Sequence, residues 1–73
     1  MFRYFPVIES REEEKTGYGI AGFELAGEQW RKCVFTLCPA PDFHTADVLA
    51  LRCTVHQLDP VHLAEVIEDF FGK

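Results

Sequence analysis

DPVHLAEVIEDFF, residues 59–71, carries the strongest helix signal in the sequence. Asp59 is a good N-cap, and Pro60 suits a first helical turn, where its missing N–H loses no partner. Leu63, Val66, Ile67 and Phe70 then recur at helical spacing on one face, while Glu65, Glu68 and Asp69 take the other. Gly72 supplies the stop. So short a helix is stable only against an apolar surface, which the rest of the chain has to provide.

Working back from that helix, QLD at residues 57–59 leaves room only for a tight corner. A second helix is expected before it, starting near Pro41 or Asp42, with Thr45 as an alternative cap, and running to about Gln57. It carries two apolar stripes. Ala46, Leu49, Ala50 and Cys53 form one, bordered by His56. Val48, Leu51 and Val55 form the other, on the opposite side of the wheel. A helix resting on one surface needs only one stripe, so the second is left to find a partner.

Upstream, the pattern changes from helical to strand spacing. Residues 2–9, 17–25 and 30–37 read as strands. Pro6 cannot donate to a ladder, which places the first strand at a sheet edge. Residues 10–16, SREEEKT, read as a charged connector whose acidic tip, residues 12–14, seeks solvent. Gly17, Gly19 and Gly22 interrupt the second strand. No helix follows GYGIAG, so it lacks the context of a dinucleotide-binding loop, and its glycines mark a bulge or an aromatic lying across the backbone. AGEQ, residues 26–29, makes a tight turn in which Gly27 is free to take positive φ. In the third strand Cys33, Phe35 and Leu37 share one parity, taken as the core face. Trp30, Lys32, Val34 and Thr36 share the other, taken as the free face. The fold class expected is α+β: a three-stranded antiparallel β-meander followed by two α-helices packed on one face, in a single domain spanning residues 1–73.

Composition bounds what such a domain can do. A chain of 73 residues buries only roughly 60–65 % of its unfolded surface. Seven Phe, two Tyr and one Trp compensate, since large aromatics bury the most area per residue. No apolar run is long enough to span a membrane, and the N-terminus has neither an apolar h-region nor a cleavage pattern. A cytoplasmic protein is therefore expected. The net charge of −5 repels phosphate and argues against direct nucleic-acid binding. Three cysteines, an odd number, do not make a disulfide framework; they read as reduced apolar fillers.

Tyr18-Gly19-Ile20, the helix with Leu49 and Cys53, and above all Leu58-Asp59-Pro60-Val61-His62-Leu63 followed by Val66-Ile67-Glu68-Asp69-Phe70 resemble a family of small uncharacterised bacterial proteins. That family belongs to anaerobic Gram-positive species and is a domain of unknown function. The resemblance covers most of the chain after Thr16 and is specific in the last fifteen residues. CPAPDFHTA, residues 38–46, departs from the family's more polar, Ser/Thr-rich approach to the first helix. The resemblance implies a fold and no activity.

Several constellations could carry chemistry. Cys33, Cys38, Cys53 and His56 offer a four-ligand zinc set by residue type. Cys33 and Cys38 differ by five positions, however, so on one strand they face opposite ways, about 16 Å apart. Cys53 with His56 lies on the face assigned to the core, where a thiol is inert rather than activated. His62 and Glu65, one turn apart, could share a proton, but a surface contact explains them as well. Glu65, Glu68 and Asp69 lack the concave, partly dry pocket that catalytic carboxylates need. No catalytic, cofactor or metal residues are assigned, and the chain is read as non-enzymatic.

What remains unexplained is apolar surface: Trp30 and Val34 on the free sheet face, Val48, Leu51 and Val55 on the second stripe, and Phe71 at the end of the last helix. These six residues are the candidate interface. Large exposed patches mark partners, and a twofold homodimer is the commonest way to cover them. The expectation is a protein-interaction or self-associating module. One alternative is an acidic inhibitor that occupies the basic groove of a nucleic-acid enzyme through REEEK and the acidic face of the last helix. A second is a small metal or ligand site around Cys53, His56 and His62.

Overall fold

Alternating aromatic and β-branched residues form three strands in the computed structural model, which describes residues 1–10 and 16–72. They are β1 (Phe2–Ser10), β2 (Thr16–Ala26) and β3 (Gln29–Cys38). They pair antiparallel in the order β1-β2-β3. Of the charged connector, Ser10 and Thr16 are strand ends paired with each other, and its acidic tip lies outside the described residues. The β2–β3 hairpin closes through the two residues Gly27 and Glu28, with Gly27 at φ +67°. Glycine at the first central position is what a type II′ turn requires. Two other glycines are fixed by space. A Cβ on Gly22 would stand 2.7 Å from both Tyr4 and Val34, and one on Gly19 would stand 2.5 Å from the Phe35 ring. Both are places where a neighbour's side chain lies across the backbone.

Two helices, α1 (Phe43–Val55) and α2 (Leu63–Phe71), cover one face of the sheet. Asp42 caps α1, accepting from the Thr45 N–H at 2.9 Å and the Thr45 hydroxyl at 2.8 Å. Those two bonds hold its carboxyl below the ordinary carboxylate range. Asp59 also caps, as its sequence position suggests. It caps a short 3-10 turn (Pro60–His62) rather than α2 itself, accepting from the Val61 N–H at 3.1 Å. The core joins Tyr4, Ile20 and Cys38 of the sheet to Ala46, Leu49, Ala50 and Cys53 of α1 and Leu63 and Ile67 of α2. The first stripe of α1 is thus buried in full. The buried α2 residues are Leu63 and Ile67, with Val66 half-buried and Phe70 exposed.

The face expected of β3 needs correcting. Gly22 pairs with Val34 and Phe23 with Lys32, so Cys33 is an extra residue, a bulge. Val34 and Cys38 pack toward the helices, and Val34 therefore leaves the free face assigned to it. Phe35 and Leu37 alternate with them and take the uncovered side. Beyond the bulge the parity reverses, so Trp30 and Lys32 lie on that same uncovered side.

The end of α1 is built around Gln57, whose φ of +51° is left-handed. The Gln57 N–H bonds the Thr54 carbonyl at 3.1 Å and the Leu58 N–H bonds the Cys53 carbonyl at 3.0 Å, the double closure of a Schellman motif. Glycine is favoured at that position, and glutamine there costs about 1 kcal/mol of backbone strain. Its side chain explains the choice. The Gln57 amide accepts from the Phe2 N–H at 2.7 Å and donates to the Phe2 carbonyl at 2.9 Å, as a neighbouring strand would. One helical turn earlier, the Thr54 hydroxyl accepts from the Tyr4 N–H at 2.8 Å and lies 3.3 Å from the Tyr4 carbonyl. The Leu25 N–H bonds the Met1 carbonyl, which fixes the odd residues of β1 toward β2 and the even ones outward. Phe2, Tyr4 and Pro6 are therefore successive outward positions. The first two are filled by side chains of the helical layer, and the third has no N–H to offer. This is edge protection of the kind that suppresses strand-to-strand aggregation.

Candidate interaction surface

The uncovered sheet face is assembled row by row from the strand register. Arg3, Phe23 and Lys32 form one row, Phe5, Ala21 and Phe35 the next, and Val7, Gly19 and Leu37 the third. Leu25 and Trp30 pair at the hairpin end. Exposure is 45 % for Phe5, 37 % for Trp30, 37 % for Phe35 and 50 % for Leu37. Ala21, between Phe5 and Phe35, is buried although no helix lies above it. Phe5 and Phe23 meet edge-on at 5.8 Å. The Arg3 guanidinium stands 5.0 Å from the Trp30 ring and the Lys32 ammonium 5.7 Å from the Phe35 ring. The cations of these rows are thus laid on aromatic faces, an arrangement that keeps their stems on apolar surface. Arg3, Phe5, Phe23 and Trp30 enclose a shallow cavity of about 290 Å³.

The remaining candidate residues lie on the helical layer. Leu51 and Val55 are exposed and Val48 is half-buried. Phe71 is half-buried against the core, and its ring meets Phe70 at 5.0 Å. The six candidates therefore do not form one patch. Trp30 belongs to the sheet face, Val34 and Phe71 to the packed interior, and Val48, Leu51 and Val55 to the outside of α1. The sequence reading missed Phe5, Phe35 and Leu37 as uncovered residues. For Phe5 a signal was present, as the charged Arg3 sharing its parity in β1.

The chemical constellations are dispersed. Cys33 is exposed, while Cys38 and Cys53 are buried, and all three are free. Among the described residues no three His, Cys, Asp or Glu side chains stand close enough to hold a metal ion. Burial pushes the Cys53 thiol up, away from the thiolate a nucleophile needs. It lines a groove of about 590 Å³ between α1 and α2 together with His56, Arg52, Asp69 and Phe70. Of these, Arg52 lies 5.8 Å from the Phe70 ring. His62 Nδ1 is 3.6 Å from Glu65 Oε1, with both side chains open to solvent, which makes a weak surface pair. Among the described residues no helix is long and apolar enough to cross a membrane. Compared with family models, curated proteins and solved structures, the chain gives no significant match.

Proposed function

We propose that this chain is a small non-enzymatic interaction module that works by self-association, with the uncovered sheet face as its principal contact. The observation that carries this reading is the set of rows around Phe5, Trp30, Phe35 and Leu37, which no helix covers among the described residues. A large side chain presents roughly 150–250 Å² in all, so these four leave open roughly 300 Å², the size of the largest patch on an ordinary monomer. Two such faces in contact would remove roughly 600 Å² from water, about 15 kcal/mol before costs. Lost freedom takes about 4–15 kcal/mol of that. What is left is roughly 0–11 kcal/mol, and roughly 600 Å² is below the size of a standard stable interface, so the expected dimer is a weak, reversible one. The three free cysteines suit a reducing compartment, and the proposed location is the cytoplasm.

Sedimentation at tens of micromolar tests the reading. The parent chain is expected to associate. Phe5→Glu and Trp30→Glu, each placing a charge on the sheet face, are expected to weaken that step about thirtyfold, the effect of losing an aromatic anchor. Leu51→Glu, on the outer side of α1, should leave it unchanged. A parent that stays monomeric at these concentrations sinks the proposal. A Leu51→Glu chain that dissociates while the sheet-face variants do not would move the contact to α1.

A further inference from the structure

The two edges of the sheet are treated differently. On β1 the outward positions Phe2, Tyr4 and Pro6 are guarded, by Gln57, by Thr54 and by the imino ring, while Ile8, the next outward position, is exposed and has no such guard among the described residues. On β3 the phase of the ladder turns Val34, Thr36 and Cys38 toward β2 and turns Phe35 and Leu37 outward. Among the described residues nothing bonds the outward N–H and carbonyl groups of Phe35 and Leu37. Nor does α2 seal that edge from above. A slot of about 420 Å³ runs between Thr36, Leu37 and Pro39 on one side and Ala64, Ile67 and Phe71 on the other. An incoming strand could lay its helix-side residues there.

We infer that β3 is a pairing edge, and that its occupant is β3 of a second copy, running antiparallel about a twofold axis at Thr36. This contact runs through the backbone edge of β3 rather than through the sheet face, with which it shares the side chains of Phe35 and Leu37. The sequence of the regular segment beyond the bulge is self-complementary in that register. Thr36 faces Thr36 of the second copy, Phe35 faces Leu37, and Val34 faces Cys38. Each Phe35–Leu37 pair exchanges both ladder bonds, because both residues point outward. Phe35 and Leu37 meet on the uncovered side as an apolar cross-strand pair, and the two threonines meet on the helical side. Lys32 and Arg31 lie beyond the bulge, toward the other end of β3, so like charges are not set opposite one another. An isologous contact of this kind joins two three-stranded sheets into one of six strands.

Cysteine cross-linking reads the axis directly. In a Cys33→Ser background, Thr36→Cys places two thiols on a non-hydrogen-bonded pair, about 4.5 Å between Cα atoms, within disulfide reach. Mild oxidation is expected to give a covalent dimer at least tenfold faster than for the exposed control Val61→Cys. Adding Phe5→Glu, on the sheet face, should not slow it. Adding Leu37→Pro, which removes an outward N–H that no bond among the described residues uses, should abolish it. Hydrogen exchange on the unsubstituted chain covers the case in which that proline variant fails to fold. The amides of Phe35 and Leu37 are expected to be protected at high concentration and to lose protection on dilution. Cross-linking at position 36 no faster than the control, or free exchange at both amides in the associated protein, overturns the inference. Association that persists with those amides unprotected leaves the sheet-face reading standing alone.

Discussion

Leu63→Ala is expected to lower the melting temperature by about 15–25 °C. Leu63 is fully buried at the first position of α2, directly after the 3-10 turn capped by Asp59. It belongs to the cluster that joins Tyr4 and Ile20 of the sheet to Leu49 and Cys53 of α1. Truncating a buried leucine costs about 2–5 kcal/mol, the lost transfer energy plus the cavity left behind. A chain of 73 residues has about 4–11 kcal/mol in total, so this one substitution consumes about a fifth of it at the least and all of it at the most. The comparison that isolates the cause is Leu51→Ala on the outer side of α1. Leu51 is exposed, and its truncation should stay within about 0.5 kcal/mol. Thermal melts followed by circular dichroism decide the matter. Similar melting temperatures for the two variants would mean that α2 docking is not what holds the helical layer to the sheet.

Alkaline pH is expected to destabilise the fold, with Tyr4 as the largest single contributor. Its phenol is buried and donates a hydrogen bond to the Leu58 carbonyl. Burial, followed by the nearby Cys53, Cys33 and Asp59, pushes its pKa from 10.0 up to about 12. Below pH 10 both folded and unfolded chains keep the proton, and the contribution is fully present. Between pH 10 and about 12 the unfolded chain releases the proton while the folded chain retains it. Stability therefore falls across that window, by about 1.4 kcal/mol per pH unit and about 3 kcal/mol in all. Cys38 and Cys53, raised by burial from 9.0, start the decline earlier. Tyr4→Phe strands the Leu58 carbonyl and should cost about 1–3 kcal/mol at neutral pH. It should also flatten the alkaline slope. Melts from pH 7 to 11 on both chains measure the two effects together. A variant with the parent's alkaline slope would show that Tyr4 is not the titrating group.

The helical half of the fold was legible because each of its devices is local. Asp42 and Asp59 are capping residues followed at short range by the amides they bind, and the buried stripe of α1 recurs at helical spacing. The sheet was legible in its strands but not in its facing. β3 is apolar on both parities, so alternation could not choose between Phe35 with Leu37 and Val34 with Thr36. The bulge at Cys33 carries no glycine or proline to announce it. It moves Trp30 onto the side of Phe35, a relation that strict alternation forbids. The edge guards were hidden for a different reason. Gln57 and Thr54 are ordinary polar residues near a helix end, and what they bind lies 55 and 50 positions away.

That separation has a consequence in time. β1 is synthesised before the helices, and the residue that closes the outward position at Phe2 follows 55 positions later. At roughly 5–20 residues per second, the interval is roughly 3–11 s. Until Thr54 and Gln57 are made, the side chains that close Tyr4 and Phe2 are not there to do so. Pro6 alone works from the moment it is made, because its missing donor is covalent rather than folded. Ribosome-arrested chains that stop short of Thr54 should capture an extended probe peptide along β1, and chains released past Gln57 should not. Equal capture by both would mean that the helical side chains do not guard the edge.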